Sequence, residues 1–184
     1  PDHQNKYPDM AAYVADKTVL FRSQRPEQHA LFNRADPWQA SWPALTRAAV
    51  RWFSPAPLPA DTPGAWLESD GAAAWQDRRR LSLPLRNLRL PGEHNRLNLL
   101  AAALACLVFG LSPEAIGSAL ASFSGVEHRL EPVGEVRGVR FYNDSAATIP
   151  EAVAAGLTAL PPPVLLIAGG TDKNLDFSPL SEMP

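Results

Sequence analysis

The stretch VRFYNDSAATIPEAVAAGLTALPPPVLLIAGG, residues 139–170, indicates the fold class of the chain. It begins with a predicted strand, residues 139–143, and continues into an alanine-rich predicted helix over 150–160, which three prolines end. The short apolar run 164–168 is typical of a strand buried in a parallel sheet, and a Gly-Gly pair follows it. Strand, helix, buried strand and glycine-rich turn predict the start of a doubly wound α/β sheet, in which ligands bind beyond the carboxyl ends of the strands.

The residues before this stretch predict a mixture of helices and strands. Apolar residues recur every three or four positions over 10–21, which predicts an amphipathic helix. The run 95–109 is apolar nearly all round, so we expect a buried helix there, and a further helix follows over 112–123 with serine and proline at its start. The remaining pattern predicts short strands at residues 28–33, 50–53, 66–68, 72–75 and 130–136.

Composition excludes several classes of protein. The chain has 184 residues, with 17 Lys+Arg against 19 Asp+Glu, so its formal charge of −2 gives no electrostatic case for nucleic acid or an anionic membrane as partner. Its one cysteine, Cys106, excludes an internal disulfide and a cysteine-rich zinc site. No apolar segment is long enough to span a membrane, and no signal peptide is apparent. Because the chain starts without methionine, we expect a piece of a longer protein.

Five short polar clusters carry the residue types that chemistry needs, although each alone is more often a cap, a turn or a surface feature. The clusters are Asp2-His3 with Lys17, the run 92–98 (GEHNRLN), Glu127-His128-Arg129, the run 143–148 (NDSAAT), and the run 169–173 (GGTDK). A hydrolase using Ser145, His128 and Asp144 is disfavoured, because the chain lacks a Gly-x-Ser-x-Gly elbow and adjacent Asp and Ser cannot readily hold a histidine between them.

The order and spacing of these clusters resemble the Mur ligase family, from Asp2 to about Phe177. Family members show Asp-His, then Tyr and Lys on a helix; His-Asn-x-x-Asn before an alanine-rich helix; Gly-x-x-His-Arg-x-Glu; Asn-Asp-Ser-x-Ala-Thr; and Gly-Gly-x-Asp-Lys followed by Asp-Phe. The matching residues here are Asp2, His3, Tyr13, Lys17, His94, Asn95, Asn98, Gly125, His128, Arg129, Glu131, Asn143 to Thr148, Gly169 to Lys173, Asp176 and Phe177.

The resemblance implies an α/β fold built from parts of two domains. Residues 1–125 would be the second part of the central ATP-binding domain, and residues 126–184 the first part of a Rossmann-like C-terminal domain. The expected activity is that of an ATP- and Mg²⁺-dependent ligase, which joins D-glutamate to UDP-N-acetylmuramoyl-L-alanine through an acyl phosphate. Such an enzyme serves peptidoglycan precursor synthesis, and so cell wall biogenesis and division. It is expected to be cytoplasmic and monomeric.

The resemblance also assigns expected roles to individual residues. It makes His3 and Lys17 catalytic residues that hold Mg²⁺, with Lys17 carbamylated so that a cation becomes an anionic oxygen ligand. The expected ligand-binding residues are Asn95 and Asn98 for adenine, Arg129 for phosphate, Asp144 for the ribose hydroxyls, and Thr148 with Lys173 for the carboxylates of D-glutamate.

Departures from the family pattern leave alternatives open. Ala146 and Ile149 stand where the commonest pattern has lysine and asparagine, so a nucleotide contact from that lysine is absent. The chain also contains no Gly-x-x-x-x-Gly-Lys-[Ser/Thr] phosphate loop, which in this family belongs upstream, so we expect the 184 residues alone to be inactive. The alternatives are another Mur ligase or a folylpolyglutamate synthase-like ligase, and a non-catalytic nucleotide-binding module.

Overall fold

The chain contains both helices and strands, in a computed structural model that describes residues 6–69, 71–76, 79–85, 88–171, 175–181 and 183. A 3₁₀ helix, Pro37–Leu45, lies between the first two strands. The α-helices and strands are α1 Met10–Lys17, α2 Val19–Arg22, β1 His29–Asn33, β2 Ala49–Ser54, β3 Gly64–Glu68, β4 Gly71–Gln76, β5 Arg79–Leu83, α3 Glu93–Val108, α4 Pro113–Ser122, β6 Glu131–Val136, β7 Val139–Asn143, α5 Pro150–Ala159 and α6 Ser178–Ser181.

The main sheet has five strands in the order β1-β2-β3-β4-β5. The first three strands run parallel, and β4 and β5 are antiparallel to their neighbours. The predicted strands 66–68 and 72–75 lie in an antiparallel hairpin, in which Glu68 at the end of β3 pairs with Gly71 at the start of β4. A mixed sheet with parallel strands and helices agrees with the predicted α/β class.

Two cores hold the sheet between its helices. On one side α3 and α4 pack over the middle and far strands, with Leu100 and Ala103 fully buried. The other core surrounds Phe32, whose ring centroid lies 4.8 Å from that of Phe21 and 5.7 Å from that of Trp52. The expectation that α3 is buried all round was too broad: its buried residues are Leu99, Leu100, Ala103, Leu104 and Leu107, whereas Ala102 is exposed. One face of α3 therefore packs against the main sheet.

Gly64 permits the close approach of β3 to β2. Gly64 is buried and pairs with Trp52 in the parallel ladder. A Cβ at this position would overlap the carbonyl oxygen of Trp52 and lie 2.8 Å from a methyl carbon of Leu58. Because a backbone carbonyl cannot move without breaking the ladder, the side-chain hydrogen of glycine is a packing requirement here.

The predicted helix over 10–21 is interrupted at Thr18, which separates α1 from α2. The hydroxyl of Thr18 donates a hydrogen bond of 2.9 Å to the carbonyl oxygen of Ala15. In a continuous helix that carbonyl would accept from the amide of Val19, so the threonine side chain competes with the helix.

The prediction of a buried parallel strand over 164–168 is wrong. The structure assigns no strand to this segment, and the side chains of Leu165 and Ile167 are 88% and 90% exposed. Among the described residues, β6 and β7 pair only with each other, in a two-stranded antiparallel sheet. An apolar run is a buried strand only where neighbouring strands and helices cover it, and no described strand pairs with this one.

Candidate functional site

The predicted Mg²⁺ ligands are described only in part, since His3 lies outside the described residues. Lys17 is exposed at the end of α1, and its Nζ lies 5.3 Å from the ring centroid of Tyr13, in cation–π geometry. The neighbouring Asp16 accepts a 2.5 Å hydrogen bond from the hydroxyl of Tyr7. This hydrogen bond, with minor help from desolvation and charge, raises the pKa of Tyr7 above its ordinary value. Lys17 therefore stands beside a carboxylate–phenol pair and an aromatic face.

The start of α3 separates the roles of its two asparagines. Asn95 donates a 2.7 Å hydrogen bond from Nδ2 to the carbonyl oxygen of Pro91, and so fixes the entry into the helix. Asn98, nearly one turn later, is exposed, and its amide bonds no residue in the described part of the chain. Both residues were predicted to contact adenine, and one N–H of Asn95 is already bonded to Pro91, whereas the whole side-chain amide of Asn98 is free of partners among the described residues.

The hairpin of β6 and β7 brings together two clusters that lie 15 residues apart in sequence. Glu131 pairs with Asn143 across the two strands. Beyond that pair, the amide of Leu130 donates to Oδ1 of Asp144 at 3.0 Å, and the amide of Ala146 donates to the carbonyl oxygen of His128 at 3.0 Å. The His-Arg-x-Glu and Asn-Asp-Ser motifs are thus one hydrogen-bonded unit.

The predicted phosphate ligand Arg129 lies inside a strained turn of this unit. His128 and Leu130 on either side of it have φ of +65° and +44°, in the left-handed region that non-glycine residues rarely adopt. The side chain of Arg129 is exposed and pairs with no carboxylate among the described residues. The turn therefore exposes the guanidinium of Arg129 next to Leu130, whose amide is bonded to the carboxylate of Asp144.

Helix α5 connects this unit with the start of α3. A Cβ at Gly156 would lie 2.8 Å from Oδ2 of Asp144, and a Cβ at Gly92 would lie 2.8 Å from the Cβ of Ala159. Gly156 and Ala159 are three residues apart on α5 and share a face of the helix. The structure thus places Asp144 and the first turn of α3 against neighbouring turns of one helix.

Two residues predicted to bind D-glutamate remain, Thr148 and Lys173. Thr148 is exposed just before α5, and Lys173 lies outside the described residues. Within the described ranges no group of three or more His, Cys, Asp or Glu side chains is arranged to hold a metal ion, and no helix is long and apolar enough to cross a bilayer. A shallow cavity of about 170 Å³ between Leu58, Asp61, Trp66 and Arg80 contains none of the predicted site residues.

Comparison with known proteins decides the family. The Mur ligase middle domain matches residues 1–106, more than half of the chain. The chain belongs to the Mur ligase family. One relative, the UDP-N-acetylmuramoylalanine--D-glutamate ligase of Symbiobacterium thermophilum, is 39% identical to this chain. The alignment covers 100% of the chain and 40% of the relative. The enzyme of the same name from Anaeromyxobacter dehalogenans is 38% identical over 98% of the chain and 41% of the relative.

Solved structures of Mur-type ligases share the fold of this Mur ligase chain. MurF from Acinetobacter baumannii aligns with a TM-score of 0.61 at 20% identity, over 84% of the chain and 34% of that protein. E. coli FolC, solved with DHPP and ADP, aligns with a TM-score of 0.59 at 21% identity, over 89% of the chain and 37% of that protein. The α/β fold class is thereby confirmed. The chain spans about 40% of the length of the curated relatives that it matches.

Glu131 and Asn143 are functional candidates to which the sequence analysis gave no role. Both occur in quoted motifs, but the contact of Asn143 with His128, and the pairing of Asn143 with Glu131, depend on the register of the β6–β7 hairpin. That register contains a bulge between Pro132 and Gly134. Proline and glycine in a strand are the only sequence signal of such a bulge, and they do not say by how much the register shifts.

Proposed function

We propose that the protein carrying this chain is an ATP-dependent ligase that joins D-glutamate to UDP-N-acetylmuramoyl-L-alanine in peptidoglycan precursor synthesis. Family membership supports ligase chemistry, and the two relatives described above, nearly 40% identical over the whole chain, are named for D-glutamate ligation. The single observation that carries the proposal is the joining of the His-Arg-x-Glu and Asn-Asp-Ser motifs through the Leu130–Asp144 hydrogen bond. We further propose that the protein works in the cytoplasm as a monomer.

The nucleotide would lie between the start of α3 and the turn around Arg129. Asn98 offers an exposed amide whose donor and acceptor match the edge of adenine, and Asp144 offers the carboxylate oxygen Oδ2 to the ribose hydroxyls. Arg129 offers an unpaired guanidinium to phosphate. Asn95 would contact adenine with its second N–H and its Oδ1, while its bond to Pro91 holds the first turn of α3.

The proposed reaction has two balanced steps. The carboxylate of the L-alanyl group attacks the terminal phosphorus of ATP, ADP leaves, and an acyl phosphate forms. The amine of D-glutamate then attacks the carbonyl carbon, inorganic phosphate leaves, and the amine loses a proton as the amide bond forms. Arg129 would neutralise charge on the phosphates, and Thr148 with Lys173 would hold the carboxylates of D-glutamate, as a hydroxyl and a cation suit a dicarboxylic substrate.

Mg²⁺ would be held by His3 and by Lys17 in carbamylated form. When bound, the ion neutralises phosphate charge during phosphoryl transfer. Carbamylation would add CO₂ to the exposed Nζ of Lys17, which lies 5.3 Å from the ring centroid of Tyr13. We retain the division into residues 1–125 and 126–184 as part of the proposal, with the nucleotide between the two parts.

An amino-acid panel tests this function on the full-length protein. We expect ATP-dependent phosphate release with UDP-N-acetylmuramoyl-L-alanine and D-glutamate, and none when L-glutamate, meso-diaminopimelate or D-alanyl-D-alanine replaces D-glutamate. Consumption of another amino acid would identify a different Mur ligase, and activity on a folate would identify a folylpolyglutamate synthase-like enzyme. Nucleotide binding without turnover on any substrate would favour a non-catalytic module, which the alanine and isoleucine at 146 and 149 suggest as the alternative.

A further inference from the structure

The backbone of the turn at residues 128–130 is strained, so surrounding contacts must stabilise its conformation. His128 and Leu130 both occupy the left-handed region, with φ of +65° and +44°. Each such conformation is unfavourable for a non-glycine residue, and it persists only where surrounding contacts fix it. Strained residues concentrate at ligand sites, and here they flank the cation of Arg129.

Glu131 holds the turn from the strand side. Its Oε2 accepts a 2.8 Å hydrogen bond from the backbone amide of His128. The same oxygen lies 3.7 Å from Nδ1 of the His128 ring, which is too long for a hydrogen bond. The carboxylate therefore acts on the backbone of His128 rather than on its ring, and it closes the turn that contains Arg129.

Asn143 holds the turn from the opposite strand. Its Oδ1 accepts from the amide of Ser145 at 3.1 Å, which fixes the orientation of the side-chain amide. Nδ2 then faces Nδ1 of His128 at 2.8 Å and donates to it. One amide group thus ties the turn at Arg129 to the loop that follows Asp144.

A β-bulge brings the two holding side chains opposite each other. Val136 pairs with Val139, and an uninterrupted hairpin counted back from that pair would place Pro132 opposite Asn143. The register shifts between Pro132 and Gly134, so Glu131 lies opposite Asn143 instead. Bulges next to functional sites commonly re-aim side chains in this way.

We propose that Glu131 and Asn143 are positioning residues for nucleotide binding, which hold the strained turn so that Arg129 and Asp144 face one ligand. This inference rests on the nucleotide site of the proposed function. Neither residue needs to touch the nucleotide. Glu131 acts through the amide of His128, and the strain of the turn is released when that hydrogen bond is lost. Arg129 then samples many orientations, and the amide of Leu130 no longer stays aligned with Asp144.

The test compares three variants of the full-length protein by calorimetric titration with ADP and Mg²⁺. Glu131→Ala removes the acceptor and is expected to weaken ADP binding about tenfold, the effect of losing one hydrogen bond to a charged group. Glu131→Gln keeps an oxygen in place and is expected to stay within about threefold of the unmodified protein. Glu135→Ala is the matched control, because Glu135 is exposed on the same strand and pairs across it with Arg140.

Steady-state kinetics separate positioning from a general loss of structure. In Glu131→Ala the KM for ATP should rise about tenfold while the KM for D-glutamate stays within about twofold, with an unchanged melting temperature for the main sheet. Unchanged ADP affinity in Glu131→Ala, an equal loss in Glu131→Gln, or a parallel rise in both KM values would overturn the assignment. If the unmodified protein binds no adenine nucleotide, the proposed function fails first and the assignment falls with it.

Discussion

The hydrogen bond between Asp144 and the amide of Leu130 makes a sharp prediction about two variants. Oδ1 of Asp144 accepts this bond at 3.0 Å, and Leu130 is only 5% exposed. Asp144→Ala removes the acceptor and leaves a mostly buried amide unpaired. Asp144→Asn keeps one oxygen as an acceptor and replaces the other with a neutral NH2 group, so the charge is lost.

The size of the effect follows from the geometry. A hydrogen bond to a charged acceptor contributes about 1.5–3 kcal/mol, and partial exposure of Asp144 favours the lower end, so we expect a local cost of about 1.5 kcal/mol in Asp144→Ala. For Asp144→Asn the cost should be about 0.5 kcal/mol, since a neutral acceptor remains. ADP binding should weaken in both variants, because neither offers a carboxylate to the ribose.

Native-state hydrogen exchange of the Leu130 amide measures this cost at the bond itself. Exchange should accelerate about tenfold in Asp144→Ala and about twofold in Asp144→Asn, while amides of β3 in the main sheet keep their rates. Equal exchange of Leu130 in the unmodified protein and in Asp144→Ala would show that the bond does not hold the turn. In that case the two motifs would be joined only by the contacts of His128 with Ala146 and Asn143, and Asp144 would have no part in the linkage.

Two further predictions concern Gly64 in the main sheet and Tyr7 just before α1. Gly64→Ala should lower the free energy of unfolding by about 2–3 kcal/mol, because the new Cβ overlaps the carbonyl of Trp52. The control Gly71→Ala, whose Cβ would meet its nearest atom at 3.4 Å, should lower it by less than about 1 kcal/mol. Urea unfolding followed by tryptophan fluorescence measures both values, and equal effects would contradict the packing argument. The hydrogen bond to Asp16 raises the pKa of Tyr7 above 10.0 by favouring the neutral phenol, so its contribution to stability is complete below that pH and is lost as pH rises through the raised value. In the ultraviolet titration of Asp16→Asn, the ionisation of Tyr7 should move back to a lower pH, and an unchanged titration curve would refute the contact.

Much of the fold was predictable from local pattern. The strand prediction over 28–33 matches β1, and Ser112 caps α4 as expected, with its hydroxyl oxygen accepting from Ala115 at 3.2 Å. These elements depend on alternation and on capping chemistry, which act over a few residues. The break at Thr18 was missed because a helical pattern of apolar residues says nothing about a hydroxyl that competes for a backbone carbonyl.

The prediction of a buried strand over 164–168 was wrong for a different reason. Its apolar run satisfies the local pattern of a buried strand, but burial depends on which strands and helices cover it. Among the described residues nothing pairs with it, and Ile167 remains exposed. Local sequence specifies the capacity to form a strand, whereas tertiary partners decide whether the strand forms.

The sequence predicted which residues belong to the candidate site, but not how they are arranged in space. The motifs identified Arg129, Asp144 and Asn98 by resemblance. The contacts that join them depend on the hairpin register, whose bulge places Glu131 opposite Asn143. A one-residue shift in register reverses which side chains share a face, so a prediction without the bulge would have separated these two residues.

A crystal structure of the full-length protein with ADP and Mg²⁺ tests the central claim most directly, that the start of α3 and the joined His-Arg-x-Glu and Asn-Asp-Ser motifs form one nucleotide site. We predict adenine at the amide of Asn98, ribose hydroxyls at the carboxylate of Asp144, and phosphate oxygens at the guanidinium of Arg129. A nucleotide bound elsewhere, with Asp144 and Arg129 both facing solvent, would contradict the account.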